Sequence, residues 1–214
     1  NRVARWSEIW QLKLADSKCQ FLSITNKRHI RNRSYFIGAN RIDCTRLVKD
    51  LGFFVSKDLK FSDHCNIISN KALKTNALLF RIFRTKTIDI LLRAYKTYVR
   101  PIVEFGSTVW NPYLIRDKDT IEKVQRAFTR KLFYRVGLQM LPYSQRMSFL
   151  GLESLERRRI KADLVLCYKI RHNLINMDFN QFFEIRQRSS RGHSDTLVIN
   201  KSKVPEFSVY KSPK

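Results

Sequence analysis

The sequence predicts an α+β chain, mostly α. A small N-terminal antiparallel β platform over residues 1–58 is followed by a helical bundle over 59–136, further helices over 137–180, and a basic, weakly ordered tail over 181–214. Three observations carry this expectation. Apolar residues alternate with a period of about 2 in several runs before Asp58, and recur with a period of about 3.6 from Phe61 onward. The early runs are punctuated by short Gly- and Asn-containing turns. Hydrophobic residues make up 43% of the chain, enough for a core, although 42 Lys and Arg against 18 acidic residues leave a formal charge of +24.

Taken in order, Val3, Trp6 and Trp10 have the spacing of the end of a helix, and Trp10 to Leu14 alternates as a strand would. A turn is expected at residues 15–17, then a strand from Cys19 to Ile24. Tyr35 to Ile37, Gly38 to Asn40 and Ile42 form a hairpin signal, with Gly and Asn able to take positive φ. Leu47 to Val55 completes the platform as one more strand.

Ser62 and Asp63 are suited to cap the first long helix, which should carry Ile67, Leu73, Ala77, Phe80 and Phe83 inward. Lys71, Lys74, Arg81 and Arg84 remain for phosphate or, equally, for a solvated basic face. A second helix should run from Thr87 through Leu91, Leu92, Tyr95, Tyr98 and Val99 to Arg100-Pro101, where proline kinks it or opens another. Asp117 to Asp119 place negative charge at the start of a third. Its stripe is Ile121, Val124, Phe128 and Leu132, with Lys123, Arg126 and Arg130 on the other side. Trp110, Phe128 and Leu132 are expected in the core.

Gly137 should end that helix, a short one follows Pro142, and Ser154 opens a fifth that includes Leu155, Leu164, Cys167, Tyr168 and Ile175. Arg157, Arg158 and Arg159 crowd its first turn, against the helix dipole, which favours an anion bound there.

A polyanion is the partner this charge implies, because neutralising phosphates releases counterions; ribosome-associated and chromatin proteins share the composition. Cys19, Cys44, Cys65 and Cys167 lie far apart, with no zinc or disulfide spacing, so reduced thiols and an intracellular location, nuclear or cytoplasmic, are expected. No run reaches the roughly 20 apolar residues of a membrane span. The start at Asn1-Arg2-Val3 reads as the middle of something longer.

Nucleotidyl transfer needs two or more carboxylates around Mg²⁺, and Asp16, Asp43, Asp50, Asp58 and Asp63 stand singly. There is no phosphate loop, nucleophile elbow or zinc-protease helix, and His29, His64, His172 and His193 stand beside no nucleophile in a recognisable pattern. Catalysis by these residues alone, a metal and a cofactor are therefore not expected.

The order of residues nevertheless resembles the late palm and thumb of non-long-terminal-repeat retrotransposon reverse transcriptases, jockey-like elements above all. Trp6-x3-Trp10-x-Leu12-x-Leu14-x3-Lys18-Cys19 is similar to the late palm, followed by Lys49-Asp50-Leu51-Gly52 and Leu59-x-Phe61-x2-His64. Next come Tyr95-Lys96-Thr97-Tyr98-Val99-Arg100-Pro101-Ile102-Val103-Glu104-Phe105-Gly106-Ser107-x-Val109-Trp110-x-Pro112 and Ile121-Glu122-x-Val124-Gln125-Arg126-x-Phe128-Thr129-Arg130. Tyr143-x2-Arg146-Met147 and Leu150-Gly151-Leu152-Glu153-Ser154-Leu155-Glu156-x-Arg158-Arg159 continue the series. Ala15 departs from the Asn frequent in the family.

The resemblance implies a right-hand polymerase without its fingers and aspartate pair, so that Mg²⁺ belongs to upstream palm residues and the upstream polypeptide is a partner. It also implies that Lys18 assists as a general acid toward pyrophosphate, that Leu51-Gly52 holds the primer end, and that residues 59–136 are a thumb lying along an RNA/DNA hybrid or RNA. Arginine's planar fork suits phosphate, which singles out Arg126, Arg130 and Arg158. A stand-alone RNA- or DNA-binding module and an inactive transposon remnant are the other readings.

Overall fold

The computed structural model describes residues 2–12, 14–15, 18–24, 34–37, 39–187 and 195–198. The chain divides into two compact units, residues 1–160 and 161–214. It is α+β, with small sheets near the N-terminus followed by helices.

Helix α1 (Arg2–Ile9) forms where the tryptophan spacing predicts it, but the described residues among 10–14, which are 10–12 and 14, are not strand. Gln11 instead takes φ 53°. Its amide donates to Glu8 O (3.2 Å) and that of Leu12 to Ser7 O (2.9 Å), a Schellman closure that consumes the donors a strand would have used.

Strands β1 (Gln20–Leu22), β2 (Tyr35–Ile37) and β3 (Asn40–Thr45) form a sheet of order β1-β3-β2. The hairpin expected from Tyr35 to Ile42 is present, with Tyr35 opposite Ile42. Strand β1 runs parallel to β3, Phe21 beside Cys44, so this sheet is mixed rather than wholly antiparallel. The single strand expected over 47–55 is two, β4 (Leu47–Asp50) and β5 (Phe53–Ser56), paired antiparallel. Leu51 (φ 45°) and Gly52 (φ 95°) make the two-residue loop, whose paired positive φ angles suit the twist of a tight hairpin.

Helix α2 (Ser62–Ile82) opens on Phe61, not on a Ser62 cap. The Ser62 hydroxyl is taken by Asp117, to which it donates at 2.6 Å. The buried face of α2 is His64, Cys65, Ile68, Ser69, Ala72, Asn76, Leu79 and Phe80; Ile67, Leu73 and Phe83 are half-buried and Ala77 is exposed. A stripe centred on large apolar residues misses this phase because small and polar side chains occupy the contact with α5. There Asn76 Nδ2 donates to Val124 O at 3.0 Å.

The second helix divides. Helix α3 (Ile88–Ala94) widens into a π turn (Tyr95–Val99) and tightens into a 3₁₀ turn (Arg100–Val103). Pro101 lacks an N–H and its ring crowds the carbonyl four residues earlier, so the preceding backbone rearranges. Tyr95 and Val99 are buried while Tyr98 is exposed.

After α4 (Ser107–Trp110) comes α5 (Ile115–Val136), closed by Gly137 in the left-handed region at φ 81°. Helix α6 (Tyr143–Phe149) and helix α7 (Leu155–Arg171) follow. Ser154 caps α7, its Oγ accepting from the Arg157 amide at 3.2 Å. Asn173 (φ 52°) and a Leu174-to-Lys169 bond of 2.9 Å stop the helix short of Ile175.

The core of the first unit is built on α2, α3, the π and 3₁₀ turns, α5 and the start of α7. Tyr95 stacks on Phe128 at 4.1 Å between ring centres. Trp110, Phe128 and Leu132 are all buried, the last two as the helix phase of α5 requires. The change of secondary structure near Asp58 is not a gap in space, since Phe53 of β5 stacks on Phe105 at 5.6 Å and Phe54 N donates to His64 Nδ1 at 3.3 Å.

In the second unit, a 3₁₀ turn (Phe179–Gln181) is capped by Asp178, which accepts from Asn180 N at 3.0 Å. Strands β6 (Glu184–Gln187) and β7 (Asp195–Val198) then pair antiparallel, where only loose order was expected. The remainder of that tail, and parts of the turn at 15–17 and of the hairpin loop at Gly38, lie outside the described residues.

Candidate nucleic-acid interface

Several polar residues of the resembling segments, Glu122 and Gln125 foremost, turn inward. Gln125 is fully buried, its Oε1 accepting from Tyr95 OH (3.0 Å) and its Nε2 donating to Glu153 O (3.0 Å). Buried Glu122 accepts from Tyr143 OH and, through Oε2, from Leu155 N at 3.0 Å. Burial, then the bond to Glu122, holds the Tyr143 phenol well above its ordinary value. This cluster fastens α5 to α6 and to the N-terminus of α7.

Glu104 does similar work for the 3₁₀ turn. It receives a forked pair from Arg158, with Nη2 to Oε2 at 3.1 Å, and lies 3.5 Å from Arg100. Gly106, at φ 57°, lies under the ring of Phe53; a Cβ there would come within 2.7 Å of Phe53 Cε1. Trp110 Nε1 donates to Phe105 O at 2.9 Å and its ring meets His64 at 4.9 Å. Desolvation depresses the His64 pKa, and burial pushes the Cys65 thiol up to about 12, which keeps it protonated and inert.

Two of the three expected phosphate contacts on α7 are therefore structural. Arg158 is bound to Glu104. Arg159, 1% exposed, donates Nε to Asn111 Oδ1 at 3.1 Å, and burial lowers its pKa. Four residues after buried Leu155, it points the same way into the core. The anion expected at the start of α7 is the Glu122 carboxylate. Arg157 alone of the three is exposed, 3.9 Å from Glu153.

Lys71, Lys74, Arg81 and Arg84 are all exposed, as are Lys123, Arg126 and Arg130 on α5. Arg126 pairs with Asp119 at 3.0 Å and lies over Tyr143. The four cations of α2 and its C-terminal end make no ion pair among the described residues, nor do Lys123 and Arg130. At about 100° per residue, Lys74 and Arg81 fall opposite the α5-facing side of α2, and Lys123, Arg126 and Arg130 opposite the α2-facing side of α5. These are two stripes on outward faces, not one groove. Sequence reasoning missed that Arg135 is a cap: it donates to Phe80 O (2.7 Å) and Phe83 O (3.0 Å) at the end of α2.

Leu51 projects from the β4–β5 loop, 85% exposed, and Gly52 backs onto Phe105 at 3.3 Å from a would-be Cβ. Lys18 is exposed, its amide donating to Ala15 O at 2.9 Å. Among the described residues no group of three His, Cys, Asp or Glu could hold a metal, and no helix is long and apolar enough to cross a membrane.

The chain is similar to an uncharacterized protein of Caenorhabditis elegans, 26% identical over 133 residues, which cover 62% of this chain and 65% of that protein. No protein-family model and no solved structure matches the chain.

Proposed function

We propose that this chain is the C-terminal palm, thumb and post-thumb part of a non-long-terminal-repeat retrotransposon reverse transcriptase, holding an RNA/DNA hybrid or RNA for catalytic carboxylates on upstream residues. The observation that carries the reading is a set of exposed cations with no ion pair among the described residues: Lys71, Lys74 and Arg81 on a helix whose opposite face is core, and Arg84 just beyond its end. A-form duplexes are recognised mostly by shape and phosphate, which such a stripe suits. In this reading Leu51 and Gly52 contact the primer end, Lys18 is an accessory acid, Arg126, Arg130 and Arg157 add phosphate contacts, and Mg²⁺ belongs to the upstream palm. The likeness of the ordered motifs supports the polymerase assignment.

Titrating the full chain with an RNA/DNA hybrid across a salt series tests it. A linear fall of log affinity with log salt, at a slope of about 0.9 for each phosphate engaged, is expected. Weak binding with a flat salt response refutes it. Equal affinity for hybrid and B-form DNA favours the general nucleic-acid module instead.

A further inference from the structure

Beside the cationic face of α2 lies an apolar groove that phosphate binding does not use. Two adjoining hollows of about 330 and 370 Å³ share Phe83 and Tyr98, one bounded by Leu78 and Ile82 of α2, the other by Ile90 and Arg93 of α3. The apolar residues are open to solvent: Leu78 50%, Ile82 62%, Ile90 47% and Tyr98 59% exposed. So many large apolar groups side by side on a strongly charged protein mark an interaction surface.

The backbone makes this surface. The π turn puts Tyr95 and Val99 into the core and turns Tyr98 outward. Such π insertions recur at functional sites.

We infer that this groove receives an acidic amphipathic helix of a partner protein. Five aliphatic side chains line it against two aromatic ones, which fits leucine-like side chains at one-turn spacing better than it fits nucleobases, which stack on aromatic faces. Its border is cationic. Arg93 lines it beside Asp89, and Lys71, Lys74 and Arg81 share the exposed side of α2 with Leu78 and Ile82. Carboxylates flanking an apolar stripe would complement that border, and a basic helix would be repelled.

The test pans the full chain against displayed helical peptides with leucine at i, i+4 and i+7 and randomised Asp, Glu, Lys or Arg beside them. The strongest binder is then measured by fluorescence anisotropy. Enriched peptides are expected to be acidic, and Leu78→Ser with Tyr98→Ser to weaken them at least about tenfold, with circular dichroism and RNA/DNA hybrid binding unchanged. Arg93→Glu should weaken the acidic binder and favour a lysine-flanked version. Absence of enrichment, enrichment without charge preference, or binding indifferent to the Leu78/Tyr98 pair overturns the inference. So does a single-stranded uridine oligomer whose binding depends on Leu78 and Tyr98, since the groove would then belong to nucleic acid.

Discussion

Arg157, Arg158 and Arg159 are consecutive in α7 and meet three different surroundings: solvent, the Glu104 carboxylate and the core. Lys71, Lys74 and Arg81 are spread along α2, yet all stay exposed on one side of the helix. The difference is the helix period. Neighbours in sequence point about 100° apart, so a run of cations is not a patch, whereas spacings of three and seven make one. Pairing sharpens the contrast, because Glu104 and Glu122 face the α7 arginines and, among the described residues, no carboxylate pairs with the α2 stripe.

The largest expected effects lie on the buried side of that contrast. Glu122→Ala removes the acceptor of Leu155 N and Tyr143 and the carboxylate that most favours the charged form of Arg159. Urea denaturation should show a loss of about 3–5 kcal/mol, as for other broken buried charge clusters. A loss within 0.5 kcal/mol, the usual surface value, would mean that Glu122 is not the fastening of α7. Phe128→Ala should cost about 3–5 kcal/mol, since its ring fills the core against Tyr95 and Phe80.

Gly106→Ala comes next, expected to lower stability by about 1–3 kcal/mol through overpacking against Phe53 and a left-handed backbone. Acid should act more gently, through His64. Its folded pKa lies below the ordinary 6.5, so the unfolded chain binds the proton more readily. Its contribution is complete above about pH 6.5 and is lost as pH falls below that value toward the folded pKa. Denaturation midpoints measured from pH 8 to 5 should fall in that window, and less so in His64→Gln. Arg157→Glu should change stability by no more than about 0.5 kcal/mol.

The helical core was legible because α5 carries large apolar residues at strict helical spacing: Ile121, Val124, Phe128 and Leu132 are all buried. The phase of α2 was not, because Ser69, Ala72 and Asn76 mark its contact with α5, and small or polar residues give no hydrophobic signal. The π turn depends on the backbone rearranging before Pro101, which no side-chain pattern records. At the candidate interface, the outward cations of α2 and α5 could be read from periodicity. The inward course of Arg158 and Arg159 could not, since it depends on Glu104 and Asn111, roughly fifty positions earlier in the chain. Glu122 and Gln125, by contrast, stood in a resembling motif, and their places next to Ile121 and Val124 of the α5 stripe were the available hint that they serve the scaffold.

The central claim is that helix phase separates cations that bind phosphate from cations that hold the fold. Measuring the salt dependence of RNA/DNA hybrid binding for the triple variant Lys71→Glu, Lys74→Glu, Arg81→Glu tests it most directly. The account predicts an unchanged circular dichroism spectrum and a slope smaller by about 0.9 for each contact removed. An unaltered slope and affinity, with the variant fully folded, would contradict it.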